Sequence, residues 1–177
     1  MRKALWSCLA VLTLSALAAP QNQPKRGPST AEERARFVAL THKLEQTPLD
    51  KSLYPDKKWA LQWIDDIPDI NVTPCLTVLG EDFLVSRYKY AANVQVQVIF
   101  GNVVFLIEHP EKKTDMAAQY TAGVESALKT YKSILRADPV ISKELEELLQ
   151  KQTQGKLGEF VRESSKECRA QGDQTGL

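Results

Sequence analysis

His42 and His109 are the only imidazoles in this chain of 177 residues, and both metal ligation and general-base catalysis draw on imidazole first. No HExxH pattern occurs. His109 stands against Pro110, where a histidine in the last turn of a helix complements the helix dipole; His42 falls within a helical pattern beside Thr41. Ser15, Ser126, Ser133 and Ser142 lack the glycine-flanked elbow of a nucleophilic hydrolase. The eight glycines are spread singly, so no phosphate-cradling loop of either common kind is present. Acids pair at Asp65-Asp66, Glu81-Asp82 and Glu146-Glu147. Adjacent residues on a helix point about 100° apart, so such pairs cannot share a substrate atom as a catalytic dyad does. These motifs predict no catalytic residue, no cofactor and no metal. A site assembled from distant parts of the chain is not legible at this level.

The cysteines carry more. Arg2 and Lys3 precede an apolar run from Ala4 to Leu17, and Ala16-Leu17-Ala18 has the small-x-small pattern read by a signal peptidase. The reading is a signal peptide over residues 1–18, cut between Ala18 and Ala19. A cut one residue later would place Pro20 directly after the scissile bond, a poor fit to an extended substrate groove. Cys8 precedes most of the apolar core rather than following it, which argues against lipidation. Removal of the leader leaves Cys75 and Cys168, and an even pair in an oxidising compartment is expected to form a disulfide. Two cysteines without a nearby histidine fall short of a tetrahedral zinc set. Without Arg2 and Lys3, 21 basic residues face 22 acids, and they are interspersed. That balance offers no field for phosphate backbones, so nucleic acid is not an expected partner. Beyond the leader no apolar segment is expected to span a membrane, which takes about 20 residues.

The elements that would position any site read as helices. Residues 19–29 hold Pro20, Pro24 and Pro28 among polar neighbours and read as a flexible leader. Ser29 or Thr30 with Glu32 or Glu33 makes a capping box, and Phe37, Leu40, Thr41 and Leu44 give a stripe for a helix over 30–46. After Pro48, Trp59, Trp63 and Ile67 recur every fourth residue from Asp56 on, widened by Leu61 and Ile64. Aromatics at that spacing pack a core; a ligand groove between the two indoles is the alternative. Thr73-Pro74 predicts a helix to about Val85 with Cys75 in its first turn. Asn71-Val72-Thr73 also matches a glycosylation sequon, although Pro74 follows it directly.

Val94-Gln95-Val96-Gln97-Val98 alternates like a strand, but no second strand is available to pair with it. The stretch 86–108 is therefore read as a buried helix, with Gly101 marking the close approach of a neighbour. Met116, Tyr120, Val124, Ala127, Tyr131 and Ile134 define the next helix, capped by Thr114 or Asp115 and carrying Gly123 beside its stripe. Asp138-Pro139 repeats the cap-proline signal ahead of Leu145, Leu148 and Leu149. Gly155 or Gly158 then breaks the chain before a last helix through Leu157, Phe160 and Val161 to Cys168. The expected fold is all-α: a single compact domain of about six helices over 30–169, cross-linked once, with residues 170–177 as a flexible tail.

Two stretches, Trp63-Ile64-Asp65-Asp66-Ile67-Pro68-Asp69-Ile70 and Phe100-Gly101 through Phe105-Leu106-Ile107-Glu108-His109-Pro110, together with Tyr120 to Leu128, resemble secreted proteins of soil bacteria. That resemblance implies no activity. Tyr120 to Leu128 is also similar to the GY-x-x-G-V helix of Tai-type immunity proteins, with Gln119 in place of the glycine before the tyrosine. That likeness implies a periplasmic helical protein that neutralises a cell-wall amidase. The resulting expectation is a periplasmic or secreted, non-enzymatic protein that binds another envelope or secreted protein. An envelope stress chaperone and a hydrolase with a dispersed site are the alternatives.

Overall fold

In the computed structural model, which describes residues 26–168, Thr30 opens the first helix as its local pattern predicts. Its hydroxyl accepts from the Glu33 amide and the Glu33 carboxylate accepts from the Thr30 amide, a complete capping box ahead of α1, Ala31–Gln46. The signal sequence, the Ala18/Ala19 junction and the 170–177 tail lie outside the described residues. Part of the leader does not: Arg26 pairs with Glu33, and buried Ser29 donates to Asp69 through both its amide and its hydroxyl, at 2.8 and 2.7 Å.

α2 is Tyr54–Asp66, starting two residues before the expected Asp56 because Pro55 occupies its first turn, where a missing N–H costs nothing. Trp63 is buried and stacks on Phe37 at 5.0 Å, as a core residue does. Trp59 is half-buried, stacked on Trp63 at 5.9 Å and covered by the Arg36 guanidinium 3.8 Å above its ring. Leu61, expected to widen the stripe, is 39% exposed.

The helix expected over 74–85 is two pieces. A 3-10 turn, Leu76–Leu79, ends at Gly80, whose φ of +90° breaks the winding before α3, Glu81–Val85, so Cys75 precedes the turn rather than lying in a helix. α4, Ala91–Glu108, is the expected buried helix. Its period is helical throughout: Val94 and Val98 pack in one core cluster with α5–α7 residues, whereas Phe100, Val103, Val104 and Leu106 pack in a second with α1 and α2. A helix buried on opposite faces carries apolar residues all round, which is why the sequence mimics a strand. The same property corrects the expectation about spanning length. α4 has 18 residues and is apolar enough to cross a membrane by length and composition, with half of it buried inside the protein.

α5, Met116–Ala137, is capped by Asp115 and is the main partner of α4. α6, Lys143–Thr153, starts at Ser142 and not at the Asp138-Pro139 signal. Asp138 instead ends α5 and accepts from Lys89 at 2.7 Å and from Tyr90. Gly155, at φ +70°, turns the chain into α7, Leu157–Ser164. Cys168 follows and is bonded to Cys75, with the Cα atoms 5.8 Å apart. The described residues thus form an all-α fold, with α1–α7, three short 3-10 turns and a further helical stretch that begins at 166 and contains Cys168.

Candidate functional site

Glycine sets the geometry at the centre of the molecule. A Cβ on Gly101 would lie 2.7 Å from the Ser126 Cβ and 2.9 Å from the Gly123 Cα; one on Gly123 would collide with the Asn102 amide and stand 2.5 Å from the Val98 carbonyl oxygen. α4 and α5 therefore cross with their backbones in near contact. With its nitrogen turned toward them, the Asn102 amide donates to the carbonyls of Gln119 and Val98 at 2.8 and 3.1 Å.

Close approach at the crossing leaves a cleft of about 540 Å³ alongside it. It is lined by small side chains of α5, Ala118, Thr121 and Ala122, by Gly101, Val104, Phe105 and Glu108 of α4, by Glu125, and by Gly158 and Arg162 of α7. From Ala117 to Lys129 the lining follows one face of α5 for about 18 Å, at 1.5 Å per residue. His42 on α1 and His109 at the end of α4, far apart in sequence, line this same cleft, as does Asp115. No spacing or motif in the sequence joins the two histidines.

At one end of the cleft a buried polar network ties three helices together. Ser126 donates to Glu45 Oε1 at 2.6 Å, and Gln97 Nε2 donates to Ser126 Oγ at 2.9 Å and to the Thr41 carbonyl at 3.1 Å. His42 Nδ1 lies 3.2 Å and Lys129 Nζ 3.6 Å from Glu45 Oε2. The order of these groups decides what they can do. In a serine relay the imidazole lies between hydroxyl and carboxylate so that it can take the proton; here the carboxylate lies between hydroxyl and imidazole. Ser126 is only 4% exposed and its hydroxyl is engaged as both donor and acceptor. The network satisfies buried polar groups, and its order differs from that of a serine relay.

His109 lies 3.6 Å from Glu111 and packs on the Phe105 ring at 4.9 Å. Of the acid pairs singled out in sequence, Asp65-Asp66 and Glu81-Asp82 are exposed, and Glu146 accepts from Tyr131 at 2.7 Å. Burial and that acidic partner raise the Tyr131 phenol to about 12. Among the described residues no group of three or more His, Cys, Asp or Glu is placed to hold a metal ion. Comparison with protein-family models, curated proteins and solved structures finds no match for this chain.

Proposed function

We propose that the mature chain, residues 19–177, is an exported, non-enzymatic protein of an oxidising compartment that binds a segment of another envelope or secreted protein along the α1/α4/α5 cleft. The observation that carries this reading is the shape of that cleft. It is long and open, lined by small side chains of α4 and α5 together with charged ones, which suits a helix or extended segment laid along α5. A small substrate is instead held in an enclosed pocket with convergent polar groups. The Cys75–Cys168 bond supports the compartment, and the leader pattern supports export.

The test is capture by the immobilised mature protein from periplasmic or culture extract, beside Thr121→Arg, which fills the middle of the cleft from a half-buried position. The reading expects one retained protein that the variant loses while keeping its thermal unfolding midpoint. Equal retention by both would place binding elsewhere. A hydrolase is the second reading, favoured by the arrival of His42 and His109 at one cleft. Hydrolysis of cell-wall substrate that disappears in folded His109→Ala would move the assignment there.

A further inference from the structure

Among the described lysines, Lys57 combines partial burial with the lack of an ion pair, a hydrogen bond or a ring contact. It is half-buried on α2, and among the described residues it has neither an ion pair nor a hydrogen bond. Arg36, by comparison, bonds Asp56 at 2.8 Å, and Lys89 bonds Asp138. Burial alone pushes the Lys57 ammonium below the usual lysine range. Partial burial of an ammonium without a partner is unfavourable, and a cavity lies beside it.

Lys57 forms part of the wall of a cavity of about 170 Å³ where α1, the turn after it, α2 and the start of α4 meet. Leu44, Leu49, Leu53, Tyr54 and Tyr90 provide most of the remaining wall. Leu44 and Leu53 belong to the core, so this apolar wall is rigid. Asp50 and Lys51 also reach the cavity, and Asp50 Oδ1 accepts from the Ser52 amide at 2.9 Å. Asn93 is fixed as well, donating to the Pro48 carbonyl at 3.0 Å. Lys51, exposed, and Lys57, half-buried, are left as the two lining cations without an ion pair.

A cavity of about 150 Å³ lined by apolar residues admits benzene, so this one has room for a ring or a short alkyl chain with a small head. We infer that the α1/α2 cavity is a ligand site for a small apolar carboxylate, its body against Leu44, Leu53 and Tyr90 and its carboxylate paired with the Lys57 ammonium. The site is separate from the α5 cleft and does not depend on the binding reading proposed above.

The probe is benzoate, titrated into the mature protein and followed by amide chemical shifts, with benzyl alcohol as the uncharged analogue and Lys57→Met as the variant. The expected result is saturable shifts at Leu44, Leu53, Tyr54, Tyr90 and Asn93, with affinity about tenfold weaker for benzyl alcohol and for benzoate with Lys57→Met. Reactivity of Lys57 toward an amine-directed ester, read by mass spectrometry, should fall when benzoate is present. Absence of saturable shifts, equal binding of the alcohol, or unchanged benzoate affinity in Lys57→Met would each overturn the assignment. The variant's amide spectrum establishes its fold independently, and Lys57→Arg, which keeps the charge, should retain most of the preference for benzoate.

Discussion

Asp69 fastens the chain ahead of α1 to the loop after α2. Its carboxylate accepts from the amide and hydroxyl of Ser29 and lies 3.6 Å from Arg34. Burial opposes its ionisation, but the Ser29 hydrogen bonds and the Arg34 charge outweigh burial and hold its pKa below the ordinary carboxylate value. A pKa lower in the folded than in the unfolded state contributes stability that is present above about pH 4 and is lost as pH falls through the folded value. Asp69→Asn should therefore cost about 1–2 kcal/mol at neutral pH, and the deficit should shrink below pH 4. Urea unfolding at both pH values measures this; a deficit independent of pH would contradict it. The capping box at Thr30 and Glu33 was legible in the sequence because its partners are three residues apart. Neither the Ser29–Asp69 link nor the Ser126–Glu45 bond was legible, since 40 and 81 residues separate the partners, and composition and periodicity carry no information on pairs at that range.

α4 and α5 depend on Gly101 and Gly123. Alanine would raise the intrinsic helix propensity by about 1 kcal/mol at either position, yet its Cβ has nowhere to go at either. Both Gly101→Ala and Gly123→Ala should destabilise, by about 1–3 kcal/mol or more. Gly123→Ala should cost more, because a backbone carbonyl and a bonded amide block it, whereas Gly101 faces a serine Cβ among its near neighbours. A gain in stability from either substitution, seen as a higher urea midpoint, would show that the helices do not cross in near contact. Gly101 and Gly123 were readable as packing residues because a glycine inside a strong helical pattern needs such a reason. Gly80 and Asp138 were not readable in the same way. Thr73-Pro74 has the form of a local start signal, but residues 71–75 are not helical: a 3-10 turn begins only at Leu76 and ends at Gly80. Asp138-Pro139 has the form of a cap, but its carboxylate is taken by Lys89 and Tyr90, 49 and 48 residues earlier, and the cap passes to Ser142.

Across the whole molecule, the disulfide ties the start of the Leu76–Leu79 turn to the chain after α7 and closes a separation of 93 residues. The chain-entropy model assigns such a loop about 4–5 kcal/mol, less any native strain. Cys75→Ser with Cys168→Ser should lower the urea midpoint accordingly, while an unchanged midpoint would mean that the bond contributes little in solution. The all-α class and the cross-link could be read from the sequence, since both rest on periodicity and on counting. The cleft could not, because it exists only where α1, α4, α5 and α7 converge, and its alanine, threonine and glycine lining carries no motif. The central claim is that this surface receives a protein. Its most direct test places a photoreactive side chain at Thr121 of the mature protein, and another at Glu147 on exposed α6 as the control, before irradiation in extract from the source. One discrete adduct from position 121 and none from 147 is the predicted result; no adduct at 121, or the same adducts from both positions, would contradict the assignment.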